Sequence, residues 1–126
     1  MSEKVRSLIQ QHWHLANERR WHEFSELLHA DLLYEVPQTR EYIDSGAGYL
    51  DMFATWPGDW TAEVRHLVCE ESKAICVIEF IVGADTMTGI SVFELKSGLI
   101  VKVTDFWPEP YEPPPRSTPH MKRRPV

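Results

Sequence analysis

Carboxylates set among apolar residues on strand-like segments are the positions of this chain best suited to chemistry. Asp105 lies in the run Leu99-Ile-Val-Lys-Val-Thr-Asp-Phe-Trp107. Alternate side chains of a strand share a face, so Val101, Val103, Asp105 and Trp107 fall on one side and Ile100, Lys102, Thr104 and Phe106 on the other. Lys102 and Thr104 suit water, which turns the first set inward. A carboxylate beside two valines and a tryptophan is desolvated, and desolvation raises its pKa toward the range of a general base. A plainer role, capping backbone or pairing with Arg65, is also open to it. Glu79 stands mid-strand among Ile75, Val77 and Ile81, where a charge is unusual. It lines a cavity, faces a subunit interface or meets an arginine. Asp105 and Glu79 are the candidate catalytic residues.

Other side chains could serve a ligand near them. Ser91 shares a strand face with Gly89, Phe93 and Leu95, and its hydroxyl is available to a ligand or to the fold. Arg65 and His66 are adjacent on one strand, so they point to opposite faces and only one can reach an interior. Tyr34, Tyr49, Trp56, Trp60, Phe93 and Trp107 are candidate walls of an apolar site, the tyrosines also phenol donors; otherwise they are core.

Several chemistries find no support in the spacing. Six histidines are present, but His12 and His14 diverge on a helix and no His-x-x-x-His pair exists, so no metal site is expected. No Gly-rich phosphate loop follows a strand, and there is no nucleophile elbow. We therefore expect no cofactor. Cys69 and Cys76 flank a turn-like Glu70-Glu-Ser-Lys-Ala stretch. If the hairpin centres between Ser72 and Lys73 the thiols face one another; two reduced, half-buried cysteines are the favoured reading.

The elements that must position these residues follow from periodicity. Val5, Leu8, Ile9, His12 and Ala16 recur at helical steps, Asn17-Glu-Arg-Arg breaks the pattern, and Trp21, Phe24, Leu27 and Leu28 resume it on a short second helix. Leu32 to Val36 reads as a short strand closed by Pro37. A third helix follows, capped by Asp44 or Ser45, with Tyr49, Met52, Phe53 and Trp56 on its buried stripe. From Trp60 the period becomes two: residues 61–70, 74–84, 88–96 and 99–107 are four strands with short links, which predicts an antiparallel meander. Helices first and long strands after predict an α+β fold with helices on one face of a curved sheet.

Length and charge narrow the classes further. The 126 residues, 43% hydrophobic and 25% charged, suit one domain with a real core. Residues 1–107 hold 9 Lys/Arg against 17 Asp/Glu, a net of −8. That acidic body argues against nucleic acid as a partner. No apolar run has the length of a membrane span, and the first residues show no signal core, so a cytoplasmic protein is expected. Residues 108–126 hold 4 Lys/Arg against 2 Asp/Glu and 7 of the 9 prolines, which predicts an extended tail outside the sheet. Tyr111 could anchor it on the sheet edge or on a neighbouring subunit; a linear motif for a proline-binding domain is the less favoured reading.

The order helix, helix, short strand, helix, four-strand meander resembles the NTF2-like superfamily, in its SnoaL-like branch. The residues that carry the resemblance are Trp13, Asn17-Glu-Arg-Arg-Trp-His-Glu-Phe24, Ala30-Asp-Leu-Leu-Tyr-Glu-Val-Pro37, Thr88 to Ile100 and Thr104-Asp-Phe-Trp107. The resemblance covers about residues 3–107 and implies a cone-shaped pocket between helices and sheet, and a homodimer formed through the sheet. Polyketide cyclases of the SnoaL type carry an acidic base on a late strand, which Asp105 resembles. Asp105, Arg65 and Glu79 could instead resemble the Asp-Arg-Asp set of limonene epoxide hydrolase. The expectation is a cofactor-independent acid–base enzyme acting on a small hydrophobic molecule, as isomerase, cyclase, dehydratase or hydrolase. A non-catalytic binding or dimerisation module of the same fold is the alternative.

Overall fold

The computed structural model describes residues 2–125. Helix α1 (Ser2–Asn17) and the single-turn α2 (Trp21–Ser25) precede β1 (Leu28–Val36) and a short β2 (Glu41–Ile43). Helix α3 (Gly46–Thr55) leads into β3 (Trp60–Cys69), β4 (Lys73–Val82), β5 (Asp85–Lys96) and β6 (Leu99–Phe106). The six strands form one sheet in the order β2-β1-β6-β5-β4-β3. Strands β3 to β6 pair antiparallel in sequence, the expected meander, while β1 lies parallel to β6 and antiparallel to β2. This is the α+β, NTF2-like arrangement of N-terminal helices packed on a curved, mostly antiparallel sheet.

Two boundaries differ from the sequence reading. The second helix ends at Ser25, and Leu28 already belongs to β1, where it pairs with Ile100. The segment after Pro37 turns back as β2, too short for a periodic signal. Helix α3 starts as expected at Ser45, whose side chain accepts a hydrogen bond from the Gly48 amide at 3.0 Å. Gly46, Tyr49 and Phe53 are its buried residues, whereas Trp56 lies past its end and is about half exposed.

The core lies between the helices and the inner face of the sheet. Ile9, Trp13 and Ala16 of α1, Phe24 of α2, and Tyr49 and Phe53 of α3 meet Trp60, Ile78, Phe93, Ile100 and Val103 from the strands. Burying each large apolar side chain is worth about 1.5–3 kcal/mol. Beyond Trp107 residues 108–125 form no helix or strand, and the hydrogen bonds of this segment run within it, among them Arg123 to Glu112. Tyr111 is 80% exposed, so it does not anchor the tail on its own chain.

Helix α1 is tied to strand β3 by side-chain-to-backbone bonds. The Asn17 amide group donates to the Ala62 carbonyl and accepts from the Ala62 amide, both at 2.8 Å. Arg6 donates to the Leu67 carbonyl at 3.2 Å. Arg19 closes the helix in the left-handed region at φ 60°, its amide bonded to Ala16 and that of Arg20 to Leu15, a turn that usually takes glycine. Its guanidinium, stacked 4.0 Å above the Trp60 ring and bonded to the Trp60 carbonyl at 2.6 Å, offsets that strain. Asn17→Ala should therefore cost about 1–3 kcal/mol, because two backbone groups of Ala62 lose their partners. Urea unfolding would check this, and a loss under about 0.5 kcal/mol, the range of a neutral surface change, would contradict it.

Candidate functional site

Asp105 stands on β6 with a hydroxyl supplied from each neighbouring strand. Ser91 is its register partner on β5, and Tyr34 on β1 pairs with Val103 on the same face of β6. Ser91 Oγ donates to Asp105 Oδ1 and Tyr34 Oη donates to Oδ2, both at 2.7 Å. The carboxylate is 5% exposed. Burial pushes its pKa up to about 6, and the two hydrogen bonds pull against that rise. Burial and the Asp105 charge both raise the Tyr34 phenol far above its ordinary value, so it remains a donor at any working pH.

A second polar layer sits behind the first. The Tyr34 and Tyr49 rings are 5.3 Å apart, and Tyr49 Oη is 2.7 Å from His12 Nε2. His12 is fully buried against Trp13, Phe24 and Phe93, and burial lowers its pKa to about 3. It is neutral at physiological pH, and its Nδ1 has no hydrogen-bond partner. An unpaired buried polar atom of this kind costs about 1–3 kcal/mol.

A cavity of about 170 Å³ opens against this carboxylate. Its polar lining is Tyr34 and Asp105; Trp13, Met52, Phe53, Ile78 and Phe80 form apolar walls, and Trp56, Met87 and Trp107 complete it. Trp56 and Met87 are each about half exposed. Among the described residues no Lys, Arg or His lines the cavity, and no group of three His, Cys, Asp or Glu could hold a metal ion. The indole N–H of Trp13 lies near Cys76 but makes no hydrogen bond of ordinary geometry.

The structure separates the residues proposed from sequence into three groups. Asp105, Tyr34, Trp56 and Trp107 line the cavity. Ser91, Tyr49, Phe93 and Trp60 are buried behind it, Ser91 orienting the carboxylate and Trp60 stacked on Phe80 at 5.3 Å. Glu79 and Arg65 are the correction: both stand on the outer face of the sheet. Arg65 bonds Glu79 at 2.9 Å and Glu63 at 2.8 Å, and this ion pair holds the Glu79 carboxyl below its usual value. Glu79 shares its strand face with Ile75 and Val77, while Ile78 and Phe80 point inward. A register shift between Val64 and His66 bulges Arg65, so Arg65 and His66 do not alternate as assumed, and both are exposed. A second shift at the start of β6 turns Ile100 inward in place of Val101, without altering the side taken by Asp105.

Cys69 pairs with Ala74 and Cys76 with Leu67, so the thiols are not directly opposed, and both are free. Burial pushes the Cys76 thiol up to about 12, which leaves it unreactive. Sequence reasoning missed Trp13, Met52, Phe53, Ile78, Phe80 and Met87 as cavity residues. Alternation opposite Glu79 could have found Ile78 and Phe80.

Asp105 and His12 bias stability in opposite senses with pH. The raised Asp105 carboxyl favours the fold fully below its ordinary value of 3.8, and that preference is lost as pH rises through about 6. The lowered His12 favours the fold above 6.5, and its contribution is lost as pH falls through about 3. Asp105→Asn removes the first effect alone. Its stability relative to the parent should therefore fall by about 2 kcal/mol from about pH 8 to about pH 4. Urea unfolding across that range would check it; a pH-independent difference would show that the carboxyl titrates normally.

Comparison with known proteins agrees with this architecture. A family profile for the SnoaL-like domain matches residues 9–103. A crystal structure from Kribbella flavida DSM 17836, described as a candidate ketosteroid isomerase, is 38% identical with a TM-score of 0.91, covering 99% of this chain and 93% of that one. An NTF2-like protein of unknown function from Burkholderia xenovorans LB400 is 22% identical, with a TM-score of 0.79 and coverages of 89% and 88%. An M. tuberculosis epoxide hydrolase of the LEH-like kind is 13% identical, with a TM-score of 0.73 and coverages of 85% and 84%, a likeness of fold alone. No curated protein matches the chain. With its helices, its six-stranded sheet and most of its length accounted for in this way, the chain belongs to the SnoaL-like family of the NTF2-like fold.

Proposed function

We propose that this protein is a cofactor-independent acid–base enzyme, in which Asp105 relocates a proton on a small, neutral, hydrophobic molecule, and that the reaction is an isomerisation through an enolate. The supporting observation is the carboxylate itself, buried, held by Tyr34 and Ser91, and facing a cavity that is otherwise apolar. A group that titrates near 6 is ionised at neutral pH yet basic enough to take a proton from carbon next to a carbonyl. In that step the C–H bond breaks and its electron pair passes to the carbonyl oxygen. The Asp105 carboxyl then returns the proton to a second carbon of the conjugated system, so protons and electrons balance without any oxidant. Tyr34, always protonated, is the donor for the oxyanion once Asp105 has been neutralised.

The name given to the Kribbella flavida relative, a candidate ketosteroid isomerase, supports the reaction class. Cyclase or dehydratase chemistry would draw on the same base. An Asp-Arg-Asp hydrolase set is not supported, since Arg65 and Glu79 lie on the outer face. An uncompensated carboxylate also disfavours anionic ligands.

Asp105→Asn should slow deuterium exchange at the α-carbon of an enolisable ketone by about 10²–10⁴-fold, followed by NMR. The parent rate should rise with pH and level off above about 6. Tyr34→Phe should move that limb to higher pH, because the carboxylate loses a stabilising hydrogen bond. Exchange that is unaffected by Asp105→Asn, with ligand still bound, would favour the binding-module reading.

The same proposal includes self-association through the outer face of the sheet, where Val68 is 66% and Ile75 47% exposed. Sedimentation should report a dimer that Val68→Lys with Ile75→Lys converts to monomer; an unchanged mass would assign the interface elsewhere.

A further inference from the structure

Trp107 follows β6 directly and is held against the cavity from two sides. One side chain clamps its backbone: the Trp107 amide donates to Gln38 Oε1 at 2.6 Å, and Gln38 Nε2 donates to the Trp107 carbonyl at 3.2 Å. Its indole lies on Gly89 of β5, where an added Cβ would come within 2.7 Å of Cζ3 and 2.9 Å of Cη2. Gly89 is not among the glycines at positive φ, so its backbone does not require glycine. The missing side chain is what seats the ring. Phe80 then meets the indole edge-on, with centroids 5.9 Å apart.

Resting on the reading that this cavity is the ligand site, we propose that the Gly89–Trp107 pair is a size gate that admits one six-membered ring with short substituents and excludes fused rings. A dry cavity of about 150 Å³ suffices for benzene, and this one measures about 170 Å³. A four-ring skeleton exceeds that space and would have to project past Trp56 and Met87 at the half-exposed rim, unlike the steroid-sized ligand that the Kribbella flavida relative's name suggests for that protein. The indole walls the cavity on the Gly89 side, two residues after Asp105, so a larger ring system would have to displace it.

The test is binding to the full chain, followed by tryptophan fluorescence, with phenol and 2-cyclohexenone as one-ring probes, 2-naphthol as a two-ring probe and testosterone as a four-ring probe. The parent protein should bind the one-ring probes at least ten-fold more tightly than 2-naphthol, against the order of their hydrophobicity. Trp107→Ala should reverse that order, and Trp107→Phe, which keeps a smaller ring on Gly89, should fall between; thermal melts would verify that each folds. Gly89→Ala, which pushes the indole off the strand into the cavity, should weaken phenol ten-fold or more. Parent protein that binds 2-naphthol or testosterone as tightly as phenol, or that binds no ring at all, overturns the gate. If the one-ring preference holds while Asp105→Asn leaves α-proton exchange untouched, the gate stands and the acid–base reading fails. If instead Asp105-dependent exchange occurs on fused-ring ketones in the parent protein, the acid–base reading stands and the gate fails.

Discussion

A carboxylate cut off from water has to be solvated by the protein, and here each of its oxygens takes a hydroxyl from a different strand. Ser91 comes from β5, its antiparallel neighbour, and Tyr34 from β1, its parallel neighbour 71 positions earlier in the chain. The second contact exists only because the meander brings the last strand back beside β1. Misplacing either strand would leave one oxygen of the buried Asp105 unpaired, at a cost of about 1–3 kcal/mol or more for a charged group. The topology and the site are therefore one constraint, and the cavity is the space the helices leave in front of it.

How much of this could be read in advance depended on where regular alternation holds. Along β5 and the second half of β6 the period of two is unbroken, and Ser91, Phe93, Val103 and Asp105 all take the side the pattern predicts. Along β3 one extra residue places Arg65 and His66 together on the outer face, a change no pattern of residue types announces. Of the three roles open to Glu79, the structure gives it the arginine partner and not the cavity, for another reason. A charge between apolar neighbours looks buried, but those neighbours belong to the outer face of a sheet whose inner face is more apolar still. His12 carried a clear signal: a polar ring on the buried stripe of α1, with Val5, Ile9 and Ala16. Tyr49 lies on a buried stripe of its own, but nothing in the spacing links it to His12, 37 residues away.

The two buried titratable groups show what the interior tolerates. His12 stays neutral because ionising it would bury a cation, and Asp105 resists ionisation because it would bury an anion. They do not neutralise each other as an ion pair, since Tyr49 and Tyr34 stand between them. Arg65, paired with Glu63 and Glu79, is kept on the far side of the sheet, where such a partly exposed network contributes little to stability.

The bonds that fasten α1 to β3 have a further consequence. Strand β3 is an edge of the sheet, and an open edge is a template on which another chain can add a strand. Arg19, Asn17 and Arg6 engage the backbone of that edge at Trp60, Ala62 and Leu67 in turn. These side chains thus occupy four of the hydrogen-bonding groups that an incoming strand would need: the carbonyls of Trp60, Ala62 and Leu67 and the amide of Ala62. At the opposite edge, β2 is only three residues long. One edge of the sheet is thus partly covered by side chains and the other ends in a very short strand, two features that disfavour strand addition.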